Sequence, residues 1–239
     1  MQQLDMPVPP RYLIVNADDL GASAEINRGI LEACERGIVT SASLMVDMPG
    51  AEAFASLGLE PSRLSVGLHA TLTTEEGELK VERSECRQEL ERQIERFESL
   101  LGRTPTHLDS HHNVHLEYAS LGGTFEEIAG ELGVPLRARS PARYYADFYG
   151  QWDDGESHPE LVSVESLSDT LEREVGPGVT EIGCHPGYAG AGFESSYLAE
   201  REAEVRALCD PRVRERVDAL GIQLIGFSQL GDVAPVAGV

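Results

Sequence analysis

Apolar, β-branched runs alternate with amphipathic stretches along almost the whole chain, and that alternation limits the fold more than any other feature. "RYLIVNA" has the composition of a buried strand, and "SAEINRGILEACERG" after it has helical spacing, with Ser23 as a cap candidate and Gly37 as its stop. "IVTSASLMV" reads as a second strand, Pro49 opens a short helix ending near Gly58, and "RLSVGLH" reads as a third strand. From Ser84 to Leu101, the residues Leu90, Ile94, Phe97 and Leu101 recur at helical spacing. "THLDS" is a fourth strand, "EYASLGGTFEEIAGELG" a helix and "VPLRAR" a fifth strand. "GVTEIGCH" is a sixth, residues 196–220 are helical, and "IQLIGFS" closes the series. Such alternation predicts parallel strands with helices outside. Seven strand candidates in 239 residues predict an α/β fold, a distorted (β/α) barrel forming a single domain over 1–239. An open doubly wound sheet is the alternative, but neither G-x-G-x-x-G after the first strand nor G-x-x-x-x-G-K-[ST] is present. Residues 138–178, rich in tyrosine and turn residues, read as a long excursion rather than a core element.

Four of the strands end in ionisable residues: "VNADD", "VGLH", "HLDSHHNVH" and "GCHPGY". In a parallel barrel all strand C-termini meet at one face, so these side chains can converge although they are distant in sequence. Six of the seven histidines lie in the last three segments, with only His158 elsewhere. Each segment alone has a structural explanation. Asp18 and Asp19 are readable as a turn and a cap, His69 as a hydrogen-bonded core histidine, and His185, held extended by Pro186, as part of a turn. Together they point to a mononuclear metal site of carboxylate and imidazole ligands, because adjacent buried acids are costly without a cation. One Asp with two His leaves coordination positions open for water and substrate, as a catalytic centre requires. One of the tandem acids then ligates while its neighbour acts as a base. His111 and His115 stand four apart, which puts both imidazoles on one face if that segment is helical.

The charge balance is lopsided: 41 acidic against 19 basic residues, a formal net charge of −22 and a single lysine, Lys80. Such a field repels phosphates and excludes nucleic acid as a partner. The acids are spread along the chain, which reads as a solvated surface suited to high salt. No apolar run approaches the roughly 18 residues of a membrane span. "MQQLDMPVPP" lacks the basic and apolar regions of a secretory signal, and Cys34, Cys86, Cys184 and Cys209 form no CxxC pair. A cytoplasmic protein with free thiols is expected, with homo-oligomerisation left open.

At its strand ends the chain resembles the YdjC-like carbohydrate deacetylases. The resemblance is carried by "LIVNADDLGASAEINRGILEACERGIVTSASLMV", "VGLH", "THLDSHHNVH", "PLRAR" and "EIGCHPGY", in the family's order over roughly residues 12–188, with "GIQLIGFSQL" fitting the terminal strand. It implies a distorted (β/α) barrel and metal-dependent hydrolysis of an N-acetyl group from an amino sugar or small glycoconjugate. By motif position it implies Asp19, His69 and His111 as ligands of one divalent ion, Asp18 as the base and His185 as the acid. Zinc and magnesium suit such a set, as do manganese and cobalt. The chain departs from the family at Asn113, where members often have a third consecutive histidine, and in the short segment after "VGLH".

His115, Asp109 and Arg137 are further candidates to support the ligands or touch the substrate. Tyr144, Tyr145 and Trp152, in the excursion, are candidates for stacking on a sugar face. One rival reading is a barrel metallohydrolase of another bond, such as a phosphoester; the strand ends offer it only Arg137 and Arg139 as basic residues. The other is a non-catalytic sugar- or metal-binding protein, which needs neither Asp18 nor His185.

Overall fold

The computed structural model describes residues 9–60, 62–152, 155–190 and 195–233. Alternation along β1 (Arg11–Leu20) sorts its side chains into two layers. Leu13, Val15 and Ala17 join Ile26, Ile30 and Ala33 of α1 (Ala24–Arg36) in the main apolar core. Ile14 instead belongs to a second cluster with Ala142, Val179, Ile225, Phe227 and Leu230. Ser23 caps α1 by accepting the Ile26 N–H at 3.2 Å, and the Gly37 N–H returns to the Ala33 carbonyl at 3.1 Å. These are the start and stop the sequence predicts.

The chain continues through β2 (Ser41–Leu44), α2 (Ala51–Ala55), β3 (Ser65–Ala70), α3 (Cys86–Leu101), β4 (Leu108–Ser110), α4 (Val114–Glu117) and α5 (Ala119–Leu132). It then forms β5 (Arg143–Tyr145), α6 (Val164–Glu174), β6 (Gly178–Cys184), α7 (Ala199–Leu208), α8 (Pro211–Ala219), β7 (Ile222–Leu224) and α9 (Leu230–Val233). The strands lie in the order β4-β3-β2-β1-β6-β5 and all pair in parallel. The lower half of β1 also pairs with β7, at Arg11–Leu13, while its upper half pairs with β2. Among the described residues no strand joins β4 to β5. The sheet curls into an incompletely closed barrel with helices around it, the distorted barrel expected.

Register explains the character of the interior. Asn16 lies opposite Ser41 and Gly183, Ser43 opposite Gly67, His69 opposite Asp109, and Tyr144 opposite Glu181. Residues paired in register share a face, so the inward face is polar above the apolar plug around Ile14. Gly67 makes room for one of these polar groups: a Cβ there would sit 2.5 Å from the His107 ring. The imidazole fills that space and stacks on Phe227, with centroids 3.9 Å apart.

Two expectations are corrected. "VPLRAR" is not a strand; only Leu136 pairs, in a single bridge to Leu108, because the chain turns at once, with the Arg139 N–H on the Leu136 carbonyl and Ala138 at φ 56°. The fifth strand is instead β5, inside the stretch 138–178 read as an excursion, which also contributes α6. A three-residue strand carries too little periodicity to be recognised.

Candidate active site

Asp18 is the top rung of the inward face of β1, and Arg137 holds it. The fully buried guanidinium donates to both Asp18 oxygens at 2.7 Å, to Glu181 Oε1 at 2.7 Å, and lies 3.0 Å from Asp109 Oδ2. Burial opposes the charge on Asp18, but Arg137 outweighs it and leaves the carboxyl below its ordinary range. Asn16 bridges sideways, donating to Asp18 Oδ1 and to Ser43 Oγ, both at 2.8 Å. Ser43 sends its one proton to Asp109 Oδ2 at 2.5 Å, so His107 Nε2, 3.0 Å from Ser43 Oγ, carries a proton and donates to that hydroxyl.

Asp109 then fixes His69. Its Oδ1 lies 2.7 Å from His69 Nδ1, which assigns the ring proton to Nδ1 and frees Nε2. That Nε2 lies 3.4 Å from Asp19 Oδ1, and His111 Nδ1 lies 3.2 Å from the same oxygen. By the parity of the strand Asp19 would point away from Asp18's face. Its backbone takes the left-handed conformation at φ 64°, which turns the carboxylate back toward the two imidazoles. Arg201 of α7 takes Asp19 Oδ2 at 2.6 Å, leaving Oδ1 buried without a hydrogen bond. The ligand atoms of Asp19, His69 and His111 all lie within 4.8 Å of one another.

This set fits a divalent ion. An acceptor oxygen without a donor faces two imidazole nitrogens in a buried site, and a cation satisfies all three. The electrostatics agree. Burial works against charge on His69, yet Asp109 and the tandem acids push it up to about 10, and Asp19 likewise raises His111. The site draws positive charge, which a metal supplies as well as protons do. The neighbouring group of Asp18, His69 and Asp109 has similar spacing, but Arg137 already occupies its centre.

His185 follows β6 and lies with Nε2 3.9 Å from Asp18 Oδ2. Burial holds its imidazole neutral, at about 4. Its ring meets Tyr149 and Tyr197 edge to face, and those two rings stack with centroids 4.4 Å apart. Above these groups lies a cavity of about 950 Å³, bordered by Asp18, Asp19, His69, His111 and His185, by Tyr144, Tyr149, Tyr197 and Trp152, and by Glu75, Glu76 and Asp147.

The five residues implied as ligands, base and acid are thus brought together. Tyr144 and Trp152 border the cavity, the latter 56% exposed and stacked on His158. Tyr145 does not: one residue on from Tyr144, it faces outward and packs against the main core. Asp109 and Arg137 are fully buried and support Asp18 and His69 from behind, out of contact with the cavity. His115 is not on a shared face with His111. Left-handed backbone at His112 and Asn113 breaks the helix between them, and His115 turns to Ser110 Oγ at 2.6 Å and to the Phe125 ring. His112 borders the cavity, its Nδ1 3.0 Å from Thr73 Oγ1. Arg201 and Tyr197 were not singled out in the sequence. A buried arginine on a helix rich in Glu and Arg looks there like a solvated face.

The YdjC-like protein family matches residues 12–219. A carbohydrate deacetylase of Geobacillus stearothermophilus is 37% identical over 252 residues, covering 92% of this chain and 98% of the relative. A chitooligosaccharide deacetylase of Serratia marcescens is 32% identical over 261 residues, with 92% and 99% covered. Among solved structures, a protein of Enterococcus faecalis V583 described as a candidate for cellobiose-phosphate cleavage superposes with a TM-score of 0.80 at 28% identity, covering 92% of this chain and 99% of that one.

Proposed function

The chain belongs to the YdjC-like protein family, and from that premise we propose that it is a metal-dependent carbohydrate N-deacetylase, hydrolysing the acetamide of a small N-acetylated sugar. The observation that carries this reading is the bare Asp19 Oδ1 facing His69 and His111 at the floor of the cavity. Asp19, His69 and His111 would hold one divalent ion, zinc or magnesium before manganese or cobalt. Such an ion supplies Lewis-acid polarisation of the acetyl carbonyl and of the attacking water.

The chain's own groups do the rest. Asp18, kept ionised by Arg137, accepts the proton that water loses on attack. His185 delivers a proton to the departing amine, a poor leaving group until protonated. Because its imidazole rests neutral, it must be charged within each turnover, and Asp18 Oδ2 at 3.9 Å is a nearby source of that proton. Tyr144 and Trp152 offer ring faces to a sugar.

Phosphoester chemistry is disfavoured by the cationic groups. Arg137 is buried behind Asp18, Arg139 pairs with Glu126 on the surface, and Arg201 is committed to Asp19. No helix among the described residues is long and apolar enough to cross a membrane. A cytoplasmic setting is part of the proposal, supported by four free cysteines. The test is metal analysis of the purified protein with a side-by-side assay of acetate and phosphate release from N-acetylated and phosphorylated sugars. Acetate release that depends on one metal ion per chain is expected; phosphate release, or no acetate from the metal-loaded protein, overturns the reading.

A further inference from the structure

Helix α7 grips the backbone of His185 from both sides. The His185 N–H donates to Glu204 Oε2 at 2.5 Å, and its carbonyl accepts from Arg201 Nη1 at 3.3 Å. Arg201 and Glu204 are three apart on the helix and so share a face. Both are buried, and the same Arg201 holds Asp19 through Nη2 at 2.6 Å. The other oxygen of Glu204 accepts from Tyr197 Oη at 2.6 Å, and that hydroxyl accepts the Gly150 N–H at 2.7 Å. A fully buried carboxylate, which the hydrolysis does not use, therefore joins the His185 peptide, a ring packed against the His185 imidazole, and the segment carrying Tyr149. Such a group costs stability wherever it is not needed.

We propose that Glu204 is a positioning residue for His185, setting the reach of its imidazole toward the leaving nitrogen through the peptide N–H and the Tyr197 ring. The inference rests on the deacetylase reading for His185's task, not for the geometry. A neutral carboxyl or an amide keeps one acceptor oxygen for the His185 N–H and turns its hydrogen to Tyr197 Oη. Glu204→Gln should thus preserve most of the effect, and Glu204→Ala should lose it. Tyr197→Phe removes one arm only and serves as the second variant should Glu204→Ala fold poorly.

The experiment compares an N-acetylated amino sugar with an activated acetate ester, whose leaving group needs no proton. His185→Ala is the reference, and imidazole NMR resonances report on His185 directly. With metal content unchanged, Glu204→Ala is expected to slow amide turnover by about 100-fold, the scale of a misplaced catalytic group. Ester turnover should change little, Tyr197→Phe should fall between, and the His185 resonances should shift while those of His107 stay. Equal loss on amide and ester, or unmoved His185 resonances, would overturn the proposal. If the wild type releases no acetate from any sugar while the His185 resonances still shift in Glu204→Ala, the deacetylase reading fails and the positioning role stands.

Discussion

Arg137 and Arg201 each bind one of two adjacent aspartates, and they do so differently. Arg137 spans both oxygens of Asp18 and reaches two further carboxylates, Asp109 and Glu181. Arg201 takes a single oxygen of Asp19 and leaves the other to two imidazoles. Identical side chains at consecutive positions thus acquire different chemistry from the number of donors each receives. A carboxylate with both oxygens paired is kept ionised and fixed, whereas one with a bare oxygen is left to find a cation.

The largest effect should come from exchanging the acids themselves. Asp19→Asn is expected to lose the metal, and with it turnover, because an amide is a neutral and poorer ligand. Asp18→Asn should keep the metal and lose kcat by about 10²–10⁴-fold, the usual cost of removing a general base. Metal analysis beside steady-state kinetics separates them; equal metal loss in both variants would erase the distinction.

Removing the arginines comes next. Arg137→Met strands three buried carboxylates and should cost about 3–5 kcal/mol in denaturant unfolding. Arg201→Met should cost less in the metal-loaded protein than after chelation, since an ion at Asp19 also neutralises that carboxylate. An equal cost with and without metal would show that Arg201 and the ion site act independently.

Titration sharpens the contrast further. Each arginine has a buried glutamate on its side of the site. Burial pushes Glu181, bonded to Arg137, up to about 7, and Glu204, one turn from Arg201, up to about 8, from an ordinary 4.5. For both, the fold favours the neutral form more than the unfolded chain does. Their contribution to stability is therefore full below pH 4.5 and is lost as pH rises through those two values. Glu181→Gln should flatten the part of the stability profile ending near pH 7, and Glu204→Gln the part reaching pH 8. Profiles parallel to wild type in both variants would contradict this.

The smallest effect concerns the surface rather than the two pairs. With a formal net charge of −22, molar KCl should raise the melting temperature by screening like charges, at about 2–4 °C per kcal/mol gained. The buried arginine pairs should contribute little to that shift. A melting temperature that does not rise with salt would contradict a surface suited to high ionic strength.

Much of this was legible in the chain. Strand–helix alternation identifies β1, α1, β3 and α3, and titratable residues at four strand ends mark the site before any geometry is known. What stayed hidden depended on backbone torsion and long-range burial. The left-handed turn at Asp19 overrides strand parity, and the pair at His112 and Asn113 separates His111 from His115. Neither leaves a mark in hydrophobic periodicity. Arg201 and Glu204 sit in "REAEVRAL", where a charged residue facing a barrel mouth reads the same as one facing water. Tyr144 and Tyr145 were separable only once the register opposite Glu181 was known.

The split pairing of β1 also bears on how the molecule assembles. The strand that carries Asp18 and Asp19 precedes every other described strand, yet its partners β6 and β7 are the last two described strands to follow it. Closing such distant contacts is slow, and until β6 docks one edge of β1 has no ladder. Arg201 arrives later still, on α7. Along the chain, Asp18 lacks its counter-charge until Arg137 is made, and Asp19 lacks one for longer, until Arg201 is made. In this topology the two adjacent acids are therefore neutralised at different times, Asp18 before β6 is made and Asp19 only after it.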